Sequence, residues 1–174
     1  MARVAFLLAD EFEDTEFRVP FDRVRGEGHE GVIVGVEKGK EVVGKKGVEK
    51  VRVEAAAKDV KAEDFDAVVI PGGYSPDRLR TDRDVVAFVR AAGLADKPIA
   101  AICHGPSLLV EADLLDGRRV TSWRSVQTDL VNAGAHWEDK EVVVDGNLIT
   151  SRNPGDAEAF ARAILGKVKA PEPA

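Results

Sequence analysis

Four short runs in this 174-residue chain are apolar from end to end: Val4-Ala5-Phe6-Leu7-Leu8, Val32-Ile33-Val34, Ala67-Val68-Val69-Ile70 and Ile99-Ala100-Ala101-Ile102. A strand with one wet face alternates apolar and polar residues, whereas a strand covered on both faces does not. Longer amphipathic stretches separate the runs, so strands and helices take turns along the chain. That pattern predicts an α/β fold, a three-layer α/β/α sandwich with a mostly parallel sheet. Expected strands cover Arg3–Leu8, Gly31–Val36, Val48–Val53, Ala67–Ile70, Ile99–Ile102, Arg119–Thr121, Glu141–Val144 and Leu148–Thr150.

The helices between them carry their own signals. Over Asp156–Lys169, the residues Ala157, Phe160, Ala161, Ile164, Leu165 and Val168 recur at helical spacing. Thr81-Asp82-Arg83-Asp84 reads as a capped start for a helix through Ala92, with Gly93 placed to stop it. A first helix is expected from near Glu13, carrying Phe17, Phe21 and Val24 inward; Pro20 inside it should kink it or mark its true start. Asp145-Gly146 between two valine- and isoleucine-rich runs signals a hairpin, an antiparallel appendage to the sheet. Ala170–Ala174, with two prolines, reads as a loose tail.

Composition bounds the function. With 25 Lys+Arg against 31 Asp+Glu, the net charge of −6 offers no basic footprint for a stable nucleic-acid partner or an anionic membrane. No stretch approaches the ~18 consecutive apolar residues of a membrane span. The initial apolar run is too short for a secretion signal, and one cysteine forbids an internal disulfide, so a cytoplasmic protein is expected. Three scattered histidines and that one cysteine give no metal-ligand spacing.

The cysteine has a telling setting. Cys103 closes an apolar strand and is followed by His104-Gly105-Pro106, the start of a helix. This is the strand, sharp turn and helix of a nucleophile elbow. Most lone cysteines are small buried hydrophobes, but the carboxyl end of a strand is where open α/β sheets bind ligands. A helix N-terminus there would lower the thiol pKa below the ~8.5 of a free cysteine. His104 is either the acid/base partner of Cys103 or a helix-start residue whose backbone N–H matters.

Two further loops should open at the same edge. Pro71-Gly72-Gly73-Tyr74 follows a buried strand; glycines there let backbone N–H groups approach a substrate and, with the His104 amide, bind a developing oxyanion. Asp10-Glu11-Phe12-Glu13-Asp14-Thr15-Glu16 packs five carboxylates into seven positions. An acidic helix start is ordinary, yet Glu13 and Glu16 lie one helical turn apart, and either could exchange a proton with the thiol.

Taken in order, Ala101-Ile102-Cys103-His104-Gly105-Pro106, the acidic loop with Pro20, Glu27-Gly28-His29, Gly44-Lys45-Lys46-Gly47, Val69-Ile70-Pro71-Gly72-Gly73, Asn132-Ala133-Gly134, Val142-Val143-Val144-Asp145-Gly146-Asn147 and Ser151-Arg152-Asn153-Pro154 closely resemble the DJ-1/PfpI superfamily, its PfpI branch in particular. The resemblance spans almost the whole chain. It implies a flavodoxin-like fold in one domain over 1–169, with 170–174 as tail. Cys103 becomes the nucleophile, Gly73 and His104 the oxyanion hole, Glu16 the carboxylate that hydrogen-bonds the thiol, and Glu13 a second glutamate near the site. Gly72, Trp123, Arg152 and Pro154 fall around the substrate pocket. Trp123 stands where relatives often have tyrosine and would narrow access, although core packing is the commoner use of such a residue.

The resemblance implies no cofactor and no metal. It implies a reactive dicarbonyl, such as methylglyoxal or glyoxal, or a glycation adduct on protein or nucleotide as substrate. A peptide substrate is the alternative, hydrolysed with His104 as base and Asp77 reaching across from a neighbouring subunit; relatives have glutamate at that position, so the shorter Asp77 weakens this triad. A homodimer or higher homo-oligomer, a hexamer included, goes with it. A non-catalytic redox sensor or chaperone built on Cys103 is the third reading.

Overall fold

The computed structural model describes residues 1–168; Lys169 and the expected tail lie outside the described residues. Seventeen elements follow one another: β1 (Arg3–Leu7), α1 (Asp14–Gly26), β2 (Glu30–Gly35), β3 (Glu41–Val43), β4 (Lys50–Arg52), β5 (Ala55–Ala56), β6 (Ala67–Ile70), α2 (Ser75–Leu79), α3 (Arg83–Leu94), β7 (Ile99–Ile102), α4 (Pro106–Glu111), β8 (Arg119–Val120), α5 (Gln127–Asn132), β9 (His136–Trp137), β10 (Val142–Asp145), β11 (Leu148–Ser151) and α6 (Ala157–Lys167).

Seven strands form the central sheet in the order β10-β11-β7-β6-β1-β2-β5, parallel except for the β10–β11 hairpin. Strands β6 and β7 are buried at every residue, as their unbroken apolar runs require, and β11 is buried throughout although it ends in Thr150 and Ser151. Alternate residues of β1 feed the two faces. Ala5 and Leu7 join Phe88, Val89, Leu108 and Leu130 on the face covered by α3, α4 and α5. Val4, Phe6 and Leu8 join Phe17, Phe21, Phe160 and Ile164 on the face covered by α1 and α6. Fully burying each such side chain contributes about 1.5–3 kcal/mol.

Strand order reverses at β1, whose neighbours are β2 on one side and β6 on the other. A crevice opens at the carboxyl ends of the strands at such a reversal. The acidic loop, the glycine turn and the cysteine elbow follow β1, β6 and β7 and so meet there.

Several expectations needed correction. Helix α1 runs unbroken through Pro20, whose ring is buried; the missing N–H forfeits only the bond to the Glu16 carbonyl. Gly93 does not stop α3, which continues to Leu94; the glycine instead admits Leu114, which packs within 2.6 Å of where a Cβ would stand. Asp82 caps that helix by accepting the Val85 N–H at 2.9 Å. Arg119–Val120 pairs with His136–Trp137 in a separate two-stranded sheet and never joins the central one. Only Lys50–Arg52 of the expected 48–53 strand forms, as half of the β3–β4 hairpin. His29, directly after the exposed Glu27-Gly28 turn, is buried, and its Nδ1 accepts the Ala2 N–H at 3.1 Å.

Candidate active site

Cys103 sits one residue beyond β7 with φ +65°. The left-handed region is unfavourable for a side-chain-bearing residue by about 1–2 kcal/mol, and here the surroundings hold it. Its N–H donates to the Ser151 carbonyl at 3.0 Å, and its own carbonyl accepts the Trp123 N–H at 2.9 Å. The elbow expected at this position is thus formed, with the sulfur turned out of the sheet and only 8% of the residue exposed.

The glycine turn and the acidic loop are stitched to each other beside it. Glu13 N–H donates to the Gly72 carbonyl at 3.0 Å, and Tyr74 N–H donates to the Glu11 carbonyl at 2.9 Å. Phe12 anchors the loop from below, edge-on to Phe17 at 5.4 Å, and Phe17 in turn stacks on Phe21 at 4.9 Å. Such aromatic pairs add about 0.5–1.5 kcal/mol each beyond burial. At Gly72 a Cβ would stand 2.4 Å from Glu16 Oε1 and 2.7 Å from the Cys103 Cβ, so only glycine admits both groups. Gly73, at φ +76°, closes the turn.

The first turn of α1 delivers the two glutamates. Glu13 Oε2 caps the helix by accepting the Glu16 N–H at 2.9 Å, while its Oε1 lies 2.8 Å from Lys46 Nζ as an ion pair. Glu16 is fully buried. Its Oε1 accepts the Gly72 N–H at 2.9 Å; its Oε2 receives no N–H among the described residues, and the Cys103 thiol is within hydrogen-bonding reach of the carboxyl. Burial first, and the Glu13 carboxylate second, push Glu16 up to about 8.

The thiol is not lowered as the position alone suggested. Burial and the neighbouring Glu16 push it up to about 12, against the backbone N–H groups of Gly73 and His104, which are aimed at the sulfur and favour the thiolate. The two groups form one site: a Glu16 that keeps its proton at neutral pH removes the repulsion and can donate to the sulfur. Burial, followed by Lys45, holds the His104 imidazole below its ordinary value; Asp77 acts the other way.

A cleft of about 220 Å³ opens over the sulfur, lined by Glu13, Lys45, Gly73, Tyr74, Cys103, His104, Trp123 and Pro154. Of the residues singled out in the sequence, Glu16 and Gly72 lie behind this wall rather than in it. Trp123 is 44% exposed at the mouth and does not pack in the core. Arg152 lies in an adjoining hollow that shares Trp123, and its guanidinium is held by Asp156 at 2.9 Å and Asp139 at 2.9 Å. Asp77 is exposed beside Glu11 and Arg78 in a separate hollow of the same chain. Lys45 and Tyr74 are lining residues that sequence reasoning did not single out; two lysines between glycines, opposite five carboxylates, were the available signal.

Residues 2–167 match the DJ-1/PfpI family. The chain belongs to that family. It is 48% identical over 167 residues to YraA of Bacillus subtilis, provisionally named a cysteine protease, covering 96% of this chain and 98% of that one. It is 43% identical to deglycase PfpI of Pyrococcus furiosus, covering 96% and 99%, and 46% identical to protein/nucleic acid deglycase 2 of Escherichia coli, covering 94% and 95%. Among solved structures, a two-domain protein of Anabaena variabilis with DJ-1/ThiJ/PfpI-like and ferritin-like domains superposes with TM-score 0.95 at 42% identity; the match covers 96% of this chain and 48% of that one. DJ-1beta of Drosophila melanogaster superposes with TM-score 0.86 at 34% identity, covering 94% and 88%. The flavodoxin-like sandwich common to these DJ-1/PfpI proteins is the fold described above. No helix among the described residues is long and apolar enough to cross a membrane.

Proposed function

We propose that this DJ-1/PfpI protein is a cysteine-dependent enzyme acting on reactive dicarbonyls or on their glycation adducts, with no cofactor. What carries the reading is one juxtaposition: a buried thiol at the floor of a cleft, two backbone N–H groups aimed at it, and a carboxyl that holds its proton at neutral pH. The deglycase names of the Pyrococcus furiosus and Escherichia coli relatives agree with it.

The chemistry runs without a redox partner. Cys103 Sγ adds to the aldehyde carbon of methylglyoxal while Glu16 or His104 relays the thiol proton to the new hydroxyl, giving a hemithioacetal. The Gly73 and His104 amides stabilise the oxyanion as it forms. The same acid/base group then moves the former aldehyde proton to the neighbouring carbonyl carbon, through an enediol, leaving a lactoyl thioester. Water cleaves that thioester, releasing lactate and the thiol. With a glycation adduct, the amine departs and the same steps follow. Glu13 serves as the charged partner that keeps Glu16 protonated, and Gly72, Trp123, Arg152 and Pro154 shape the approach.

The setting is a cytoplasmic homodimer or higher homo-oligomer, which keeps the single thiol reduced. The peptidase alternative rests on the name carried by YraA, with Asp77 from a neighbouring subunit orienting His104. Incubation with methylglyoxal, followed by identification of the product, decides between them. Lactate from the wild type and none from Cys103→Ala supports the proposal. Peptide hydrolysis without dicarbonyl turnover establishes the peptidase, and a thiol that oxidises without any turnover leaves the sensor reading.

A further inference from the structure

The β3–β4 hairpin turn is docked on the acidic loop by its backbone. Lys45 N–H donates to the Phe12 carbonyl at 2.9 Å, Lys46 N–H to Asp14 Oδ1 at 3.0 Å, and Glu49 N–H to Asp14 Oδ2 at 2.8 Å. Gly44 lies so close to Asp14 that a Cβ there would stand 2.3 Å from a carboxylate oxygen. Two consecutive lysines are thereby held at the rim with separate tasks. Lys46 meets the Glu13 carboxylate at 2.8 Å; Lys45 lines the cleft over Cys103 and makes no ion pair among the described residues.

The charges within the cleft do not balance. The Glu13 carboxylate is ion-paired with Lys46 at 2.8 Å, and Glu16, pushed up to about 8 by burial, keeps its proton in the neutral range. Lys45 therefore faces the space where substrate must enter with no carboxylate paired to it among the described residues. On a chain of net charge −6, a lone cation in the reaction cleft selects for what the rest of the surface repels. There is also room. At ~30 Å³ per water, 220 Å³ holds roughly seven waters' volume, more than a three-carbon dicarbonyl fills.

We propose that Lys45 is a specificity-determining residue that binds an anionic group on the substrate, so that the preferred substrates are α-ketoaldehydes bearing a carboxylate or phosphate a few carbons from the reacting aldehyde. This rests on the dicarbonyl reading above and narrows it. The chemistry is unchanged and balanced: 4,5-dioxopentanoate and water give 2-hydroxyglutarate, as methylglyoxal and water give lactate. Tyr74 and Trp123 line the same cleft.

The test compares methylglyoxal with 4,5-dioxopentanoate in the wild type, Lys45→Met and Lys45→Arg. The wild type should favour the anionic substrate at least ~10-fold in kcat/KM. Lys45→Met should abolish that preference mainly through a raised KM for 4,5-dioxopentanoate, so that the two substrates lose unequally. Lys45→Arg should retain the preference, and raising salt from about 50 to 500 mM should shrink it in the wild type. Equal losses on both substrates in Lys45→Met would place Lys45 on the thiolate instead and overturn the proposal, as would an undiminished preference.

A second measurement does not need turnover. 2-Hydroxyglutarate should protect Cys103 from iodoacetamide at lower concentration than lactate does, and Lys45→Met should remove the difference. If neither dicarbonyl is turned over but this protection holds, the dicarbonyl reading fails and the anion site at Lys45 stands. If turnover is found and the protection is equal for both acids, the reverse holds.

Discussion

The Glu16 carboxyl and the Cys103 thiol are buried side by side across Gly72, with Glu16 Oε1 held by the Gly72 N–H at 2.9 Å and Oε2 without a hydrogen-bond partner among the described residues. Two charges are disfavoured in this site, since burial opposes each and the Glu16 carboxylate opposes the thiolate. Glu16→Gln keeps an acceptor for Gly72 and a donor for the sulfur but can carry no charge and no mobile proton. Its thiol should ionise at lower pH than the wild type's second ionisation, read as the pH dependence of iodoacetamide alkylation. Methylglyoxal turnover should nonetheless fall by about 10²–10⁴, the usual worth of a positioned acid/base group. Wild-type turnover in Glu16→Gln would remove Glu16 from the chemistry.

The same carboxyl makes stability depend on pH. Glu16 titrates near 4.5 in the unfolded chain and near 8 when folded. Between those values the folded state holds a proton that the unfolded state has lost, so folding stability declines as pH rises through that window. At about 1.4 kcal/mol for each full pH step, the upper limit is a few kcal/mol. Urea midpoints at pH 5 and pH 8.5 should therefore differ more for the wild type than for Glu16→Gln. At pH 8.5 the variant should be the more stable of the two. Parallel pH dependences would mean that Glu16 is not held neutral by the fold.

Some of this architecture can be read from residues in line. An unbroken apolar run such as Ile99-Ala100-Ala101-Ile102 says that both faces of its strand are covered, and Cys-His-Gly-Pro after it marks the turn. Features that arise from contacts distant in sequence cannot be read that way. Lys45 is an exposed residue in a short turn, and only the docking of that turn on Asp14, thirty-odd positions away, carries it into the cleft. His29 does follow a turn, but its burial and the Ala2 N–H that its ring accepts from 27 residues away are not legible in line. The thiol is a similar case: helix starts favour thiolates, but how far burial and Glu16 oppose that depends on residues from three loops.

Asp14 is the residue on which the hairpin's placement depends, and its removal should be felt twice. Burial alone would raise its carboxyl, but the Glu49 and Lys46 N–H groups outweigh that and hold it below its ordinary value. The contribution of a depressed carboxylate is complete above its unfolded pKa and fades as pH falls through the folded one. Asp14→Ala, by stranding two N–H donors, should destabilise the protein by about 2–4 kcal/mol at pH 7. The difference from wild type should narrow near pH 2.5, as denaturant midpoints at the two pH values would show. A loosened turn should also raise KM for an anionic dicarbonyl more than for methylglyoxal. An equal loss of stability at both pH values would mean that Asp14 acts through packing rather than charge.

Gly72 leaves the least room for change. A methyl there would meet Glu16 Oε1 at 2.4 Å, the Cys103 Cβ at 2.7 Å and the Ile102 carbonyl at 2.8 Å, so carboxyl, thiol or strand end must move. Overpacking of this kind destabilises by about 1–3 kcal/mol, and displacement of a reacting group by about 1 Å lowers rates on the order of 10²-fold. Gly72→Ala should show both effects. Gly166→Ala serves as the contrast: nothing lies within 4 Å of its missing Cβ near the end of α6, and added helix propensity there should stabilise by up to ~1 kcal/mol without touching turnover. Thermal melts and product assays on the pair measure both. Full activity in Gly72→Ala would show that the contact between Glu16 and Cys103 is not what the reaction needs.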